Sequence, residues 1–191
     1  MYNIYSLYVT SIKYINWSCG KSGNVEEYCN NKEYMNIICD ILDNDDFVSL
    51  EKCKHHGINR LEHSMRVSYY SYYIAKKLKL NFRETARGGL LHDFFHVEEL
   101  TPKKQKFCFA VHPYQSLNNA TSYFNLSALE QDIIINHMFP TLPHKIPKYL
   151  ESWIVSGVDK IIAIYEFYYS YSKNFIYKFS KLYILLLLFR F

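Results

Sequence analysis

No two of the five cysteines form a CxxC pair: Cys19, Cys29, Cys39, Cys53 and Cys108 stand singly and are odd in number. That pattern fits free thiols in a reducing cytoplasm best. A phosphate-binding P-loop is also missing. Gly20-Lys21-Ser22 has the ending of one, but the motif requires glycine at position 15, where Ile15 stands. Long hydrophobic runs are absent too. The opening MYNIYSLYVTSIKYINW lacks the charged start and apolar centre of a secretory signal, and LYILLLLF from Leu182 to Phe189 is far shorter than the roughly 20 residues of a membrane span. It is expected as a final core helix, or as a chain end that would continue further, ahead of membrane attachment as the remaining alternative. Basic residues are spread along the chain, and a formal charge of +4 without a clustered basic face gives no argument for duplex nucleic acid.

What is present is an ordinary globular composition, 49% apolar and 21% charged over 191 residues, enough for one domain with a real core. The aromatic share of 18%, mostly Tyr and Phe, is high. Alongside abundant Asn, Lys and Ile it reads as the bias of an A/T-rich coding sequence rather than as a base-stacking surface. Residues 1–32 show no clean period, and CGKSGN at Cys19–Asn24 reads as a turn.

Helical spacing dominates the rest. Glu33 to about Leu42 forms one helix, ended by DNDD at Asp43–Asp46. A second is expected from Leu61 to Leu80, with His63, Val67, Tyr70, Ile74 and Leu78 facing inward. Asn81 caps a third, FRETARGGLLHDFFH, with Glu84 in its first turn. Gly88 and Gly89 inside it cost about 1 kcal/mol each relative to Ala, which a tight helix crossing would explain. Glu98–Lys106 reads as a polar connection. Pro113 suits the first turn of a helix running to about Phe124, with His112 at its mouth. Ser127 and Glu130 form a capping box that opens a helix through Leu129, Ile133 and His137. Pro140, Pro143 and Pro147 predict a rigid extended segment. A long helix resumes near Tyr149 with Val155, Asp159, Ile162 and Glu166 on one side. No run alternates as a strand, so the expected fold is all-α.

The chemistry lies in His92-Asp93, two good metal ligands at the end of the apolar helix GGLLHDFF. An HD dipeptide alone is common and usually structural. Here it has His63 on the preceding helix, His112 and His137 downstream, and Asp159 within the apolar WIVSGVDKIIAIY. A carboxylate among Ile, Val and Trp needs a cation or strong donors to be buried. Mixed imidazole and carboxylate ligands suit Mn, Fe, Co, Ni or Zn rather than calcium. His63, His92, Asp93 and Asp159 can hold one ion; if Asp93 bridges, His112 and His137 can hold a second. The alternative is one ion, with those two histidines as hydrogen-bonding pocket residues. Cationic candidates for a phosphate are Arg66, one turn after His63, Lys160 beside Asp159, and Arg60 at the helix start. His55, His56, His96 and His144 read as surface or cleft-edge residues, and the tyrosines at 69, 70, 72 and 73 as core and surface.

The ordered pattern H…HD…H…H…D, carried by LEHSMRV, GGLLHDFF, VHPYQS, INHMFP and SGVDKII, resembles the HD superfamily of metal-dependent phosphohydrolases over roughly Gly57 to Glu166. The resemblance implies a helical bundle with one or two divalent metals in a cleft. It also implies hydrolysis of phosphomonoesters, phosphodiesters or nucleotides. The mechanism expected from the residues is attack of a metal-activated hydroxide on phosphorus, with Asp93 as the central catalytic ligand and Lys160 or Arg66 adding a further positive charge, the alternative for Arg66 being a salt bridge on the helix surface. A phosphorylated small molecule, a nucleotide above all, is the implied partner. A non-catalytic nucleotide-sensing module is the alternative. HDFFH in place of HDIGK and the absence of GYP from NHMFPTLPHKIP set the chain apart from the HD-GYP branch that cleaves cyclic di-GMP. The six-residue set is similar to that of the two-metal members, among them the small hydrolases of bis(nucleosyl) tetraphosphates. The expected organisation is an extension over 1–56 packed on the core, an HD core over 57–170, and an apolar C-terminal helix over 171–191.

Overall fold

The computed structural model describes Tyr28 and residues 30–55 and 58–188; the expected turn at Cys19–Asn24 lies outside them, as do His56 and Phe189. The helices are α1 (Lys32–Leu42), α2 (Asp45–Val48), α3 (Arg60–Lys77), α4 (Phe82–Leu91), α5 (Pro102–Lys106), α6 (Cys108–Tyr123), α7 (Ala128–Asn136) and α8 (Leu150–Leu188). The extended structure among the described residues is one antiparallel pair, β1 (Lys54–His55) and β2 (Ile58–Asn59), two residues a side. The fold is all-α.

Asparagine starts four of these eight helices. The side chains of Asn31, Asn44, Asn59 and Asn81 accept from the backbone N–H of Tyr34, Phe47, Glu62 and Glu84 at the starts of α1 to α4. Each satisfies a donor that the first helical turn leaves without a partner. Ser127 and Glu130 form the full capping box of α7, as the sequence predicts.

Helix α3 is the central strut, packed most extensively on α4 and then on α8. Ser68 donates to the Ala86 carbonyl at 2.6 Å and accepts from Tyr34 at 2.8 Å, linking α1, α3 and α4. The two adjacent glycines of α4 make these approaches possible. A Cβ on Gly88 would sit 2.8 Å from Ile133 Cδ1 on α7, and one on Gly89 would sit 3.2 Å from the Ser68 Cα on α3. The crossing that the glycine pair predicts is therefore present on both sides of α4, and it brings the end of α4 between α3 and α7.

Four expectations need correction. The inward face of α3 follows Leu61, Met65, Tyr69, Tyr72 and Ala75, while Tyr70, Ile74 and Leu78 are exposed. Tyr69 and Tyr72 are turned in because Tyr34 packs on both rings, and the local period of α3 does not contain that partner. Glu98–Lys106 is not an open connection but carries a 3-10 turn at Val97–Glu99 and α5. Pro113 sits inside α6 as its sixth residue, so His112 lies in the second turn rather than at the mouth. The proline-rich stretch is a series of turns rather than extended chain: Leu142 N–H donates to Met138 O and Lys145 N–H to Leu142 O. Buried Asp132 holds its far end, accepting from Lys148 N–H at 3.0 Å and Ser152 Oγ at 2.7 Å.

Helix α8 buries Val155, Asp159, Ile162 and Glu166 on one side, as its spacing predicts. It continues through the apolar run as far as Leu188. Among the described residues, no helix is long and apolar enough to cross a membrane.

Candidate metal centre

His92 and His137 reach the centre by the same local device. Each is the C-cap of its helix, α4 or α7, where the last carbonyls have no helical donor. His92 Nδ1–H donates to Gly89 O and His137 Nδ1–H to Ile134 O, both at 2.8 Å. On α6, His112 Nδ1–H donates to Cys108 O at 2.9 Å. A carbonyl only accepts, so each bond fixes the proton on Nδ1 and leaves a lone pair on Nε2. His63 on α3 has Nδ1 against Glu166 Oε2 of α8 at 2.8 Å. Four imidazoles are thereby oriented with Nε2 inward.

The two aspartates lie among those nitrogens. Asp159 Oδ1 is 3.1 Å from His63 Nε2 and 3.8 Å from His92 Nε2. Asp93 faces two ways: Oδ2 is 3.9 Å from His92 Nε2, while Oδ1 is 3.2 Å from His112 Nε2 and 3.7 Å from His137 Nε2. His63, His92, Asp93, His112, His137 and Asp159 are all at least nine-tenths buried. They fall into overlapping groups whose ligand atoms lie within 4.8 Å of one another: His63, His92 and Asp93; His92, His137 and Asp159; Asp93, His112 and His137.

These residues fit divalent metal. His92 Nε2 is buried with no hydrogen-bond partner, an arrangement that is costly unless a cation completes it. His112 Nε2 and His137 Nε2, both lone-pair atoms, face each other at 2.9 Å. Two nitrogens at about 2.0–2.1 Å from one ion and at right angles around it would be separated by about that distance. Titration follows the same division. Burial pushes His92 down, and burial with the neighbouring His92 and His112 pushes His137 well down, so both stay neutral. Burial opposes charge on His63 as well, but the hydrogen bonds and charges of Asp159 and Glu166 outweigh it and push it up to about 10. Burial would raise the Asp159 carboxyl, yet the His63 hydrogen bond, His92 and Lys160 hold it far below the usual carboxylate range. Positive charge is thus strongly favoured between His63 and Asp159, as a proton or as a metal ion.

A cavity of about 290 Å³ opens beside the cluster. Asp93, His112, His137, Asp159 and Lys160 line it, together with Arg60, Phe95, Phe109 and Met138. Lys160 Nζ donates to Asp159 Oδ2 at 2.7 Å and to the His137 carbonyl at 2.8 Å, tying α8 to the end of α7. Arg66 is not among the residues lining this cavity; its guanidinium pairs with Glu62 at 2.5 Å and Glu166 at 3.1 Å. His96 lies apart beside Cys53 and Asp46, and His144 lies in a surface cleft with Asp132 and Lys148.

Glu166 is the site residue that sequence reasoning passed over. Its spacing puts it on the inner stripe of α8 and says nothing of a role, yet it is 1% exposed and holds both His63 and Arg66. Like Asp159, Glu166 is a carboxylate on the inner face of an apolar helix, two turns later, and needs a cation or strong donors to be buried.

The HD-domain family profile matches residues 60–164, more than half of the 191. The chain belongs to the HD-domain family, whose members are mostly hydrolases and bind divalent metals. No curated protein and no solved structure matches the chain significantly.

Proposed function

We propose that this protein is a metal-dependent phosphohydrolase acting on a phosphorylated small molecule, with a nucleotide as the leading substrate class, and that it works in the cytoplasm. One observation carries the reading: four buried imidazoles, each with Nδ1 already engaged, turn Nε2 towards two buried aspartates at the floor of a cavity that also holds lysine and arginine. His63, His92, Asp93 and Asp159 would hold one ion, of the Mn, Fe, Co, Ni or Zn class. Asp93, facing both ways, would share a second with His112 and His137. Bound there, divalent metal supplies Lewis acidity, which polarises a phosphoryl oxygen and makes water a competent nucleophile near neutral pH.

The chain's own contribution is positioning. Glu166 and the Gly89, Cys108 and Ile134 carbonyls keep the rings aimed, an outer layer of contacts that typically governs affinity 10- to 100-fold in metal sites, as an order of magnitude of about one to two decades. Lys160 holds Asp159 in place and retains a third N–H for a phosphoryl oxygen. Phe95, Phe109 and Met138 form apolar walls that limit water around the reacting group.

The test is metal content and turnover together. Protein loaded in turn with each candidate metal is expected to retain ions through gel filtration and to hydrolyse members of a nucleotide and phosphoester panel. Chelation should abolish turnover and lower the melting temperature, because metal at 100 times its Kd stabilises the folded state by about 2.7 kcal/mol. Tight metal binding with no turnover on any phosphoester would identify a non-catalytic binding module instead.

Metal stoichiometry separates one ion from two. His137→Ala, which leaves His63, His92 and Asp159 in place, is expected to reduce bound metal from two equivalents to one and to slow turnover. An unchanged count of one in both proteins would assign His112 and His137 to the pocket wall.

A further inference from the structure

The three cations near the centre differ in their partners. Arg66 pairs with Glu62 and Glu166, and Lys160 with Asp159. Arg60 has no such counter-charge: among the described residues, no carboxylate forms an ion pair with it. It is nevertheless 4% exposed. Its Nη1 donates to Phe95 O at 2.6 Å, its guanidinium carbon stacks 3.9 Å from the Phe95 ring centroid, and its Nε is buried with no hydrogen-bond partner. Arginine stays protonated throughout the range in which a protein is folded, and burying that charge without an anion is costly. One carbonyl and one ring face use a single N–H of the five a guanidinium carries. This under-compensated cation lines the same cavity as Asp93, His112, His137 and Asp159.

We propose that Arg60 is a substrate-binding residue that grips a terminal phosphoryl group, so that the substrate is a phosphomonoester or a terminal phosphoanhydride rather than an internal phosphodiester. This rests on the phosphohydrolase reading above. A guanidinium binds phosphate through two N–H groups on two oxygens, and metal at the Asp93 cluster takes at least one more. Three non-bridging oxygens are then needed. A terminal phosphoryl group has three; an internal diester has two. Charge agrees, since a dianion matches a buried arginine beside divalent metal better than a monoanion does. At about 290 Å³ the cavity lies at the lower limit of small-molecule pockets. It accommodates a phosphorylated end, with the remainder of the substrate leaving past Phe109, which is half exposed at the rim.

The experiment compares wild type, Arg60→Met and Arg60→Lys, each loaded with manganese and with its metal content measured. Inorganic phosphate binding is followed by calorimetry, and turnover with p-nitrophenyl phosphate and bis(p-nitrophenyl) phosphate. Wild type should bind phosphate and prefer the monoester. Arg60→Met should keep its metal and its helical content but bind phosphate about 10- to 100-fold more weakly, the usual effect of losing charge-assisted hydrogen bonds. Its kcat/KM for the monoester should fall by a similar factor, while that for the diester changes little. Arg60→Lys should recover part of the phosphate affinity. Metal-loaded Arg60→Met with wild-type phosphate affinity would overturn the proposal and reduce Arg60 to a prop for Phe95. A wild-type preference for the diester would overturn it too, and that result decides the matter if Arg60→Met does not fold. Wild type that takes up no metal would instead remove the phosphohydrolase reading itself.

Discussion

Asp93→Ala is expected to abolish phosphohydrolase turnover while leaving the helices in place. Asp93 follows the C-cap of α4, and its oxygens face His92, His112 and His137 rather than an apolar neighbour. No hydrophobic contact of either core cluster depends on it. Its removal deletes one of the two carboxylates among the proposed ligands, and the one whose two oxygens face different histidines. Loss of an outer contact alone costs metal sites about 10- to 100-fold; loss of this ligand should exceed that, and bound metal should fall with turnover. The far-UV circular dichroism spectrum should match wild type, because Leu90, Leu91 and Phe94 remain buried around the vacated position. The rise in melting temperature on adding metal should largely vanish, since that gain scales with affinity for the folded state. Near-normal turnover of Asp93→Ala, assayed with metal in excess, would refute the functional assignment.

Glu166→Ala should be the most destabilising single change at the site. The carboxylate is 1% exposed and joins His63 of α3 to Arg66, itself held by Glu62. Breaking a buried ion pair by deleting one partner costs about 3–5 kcal/mol. Arg66 retains Glu62, so a loss near about 3 kcal/mol is expected, or about 6–12 °C in melting temperature for a chain of this size. Glu166→Gln isolates the effect on the site. Its amide oxygen can still accept from His63 Nδ1–H, but its amide nitrogen would meet the Arg66 guanidinium, donor against donor. Metal affinity should drop by about 10- to 100-fold with a much smaller change in melting temperature. Since Glu166 touches neither cavity nor substrate, the fall should be recoverable at high metal concentration. Unchanged metal affinity in Glu166→Gln would show that His63 needs no such partner.

The residues of this protein that can be recognised by their chemical type and local spacing are legible in the sequence alone. The His92-Asp93 pair, the capping of α4 by Asn81, the capping box at Ser127 and Glu130, the glycine pair at the α4 crossing and the inner stripe of α8 each depend on a few neighbouring residues. Helical period and cap chemistry act over one or two turns, so sequence alone carries them. Tertiary structure decided what depends on partners far along the chain. Arg66 and Arg60 lie six residues apart on one helix, yet Glu166, a hundred residues after Arg66, pairs with one and not the other. The buried face of α3 turned on Tyr34, and the turns after α7 on Asp132 holding Lys148 and Ser152. Whether a charge is compensated is a property of everything within a few ångströms of it, and the order of residues along the chain does not contain those distances.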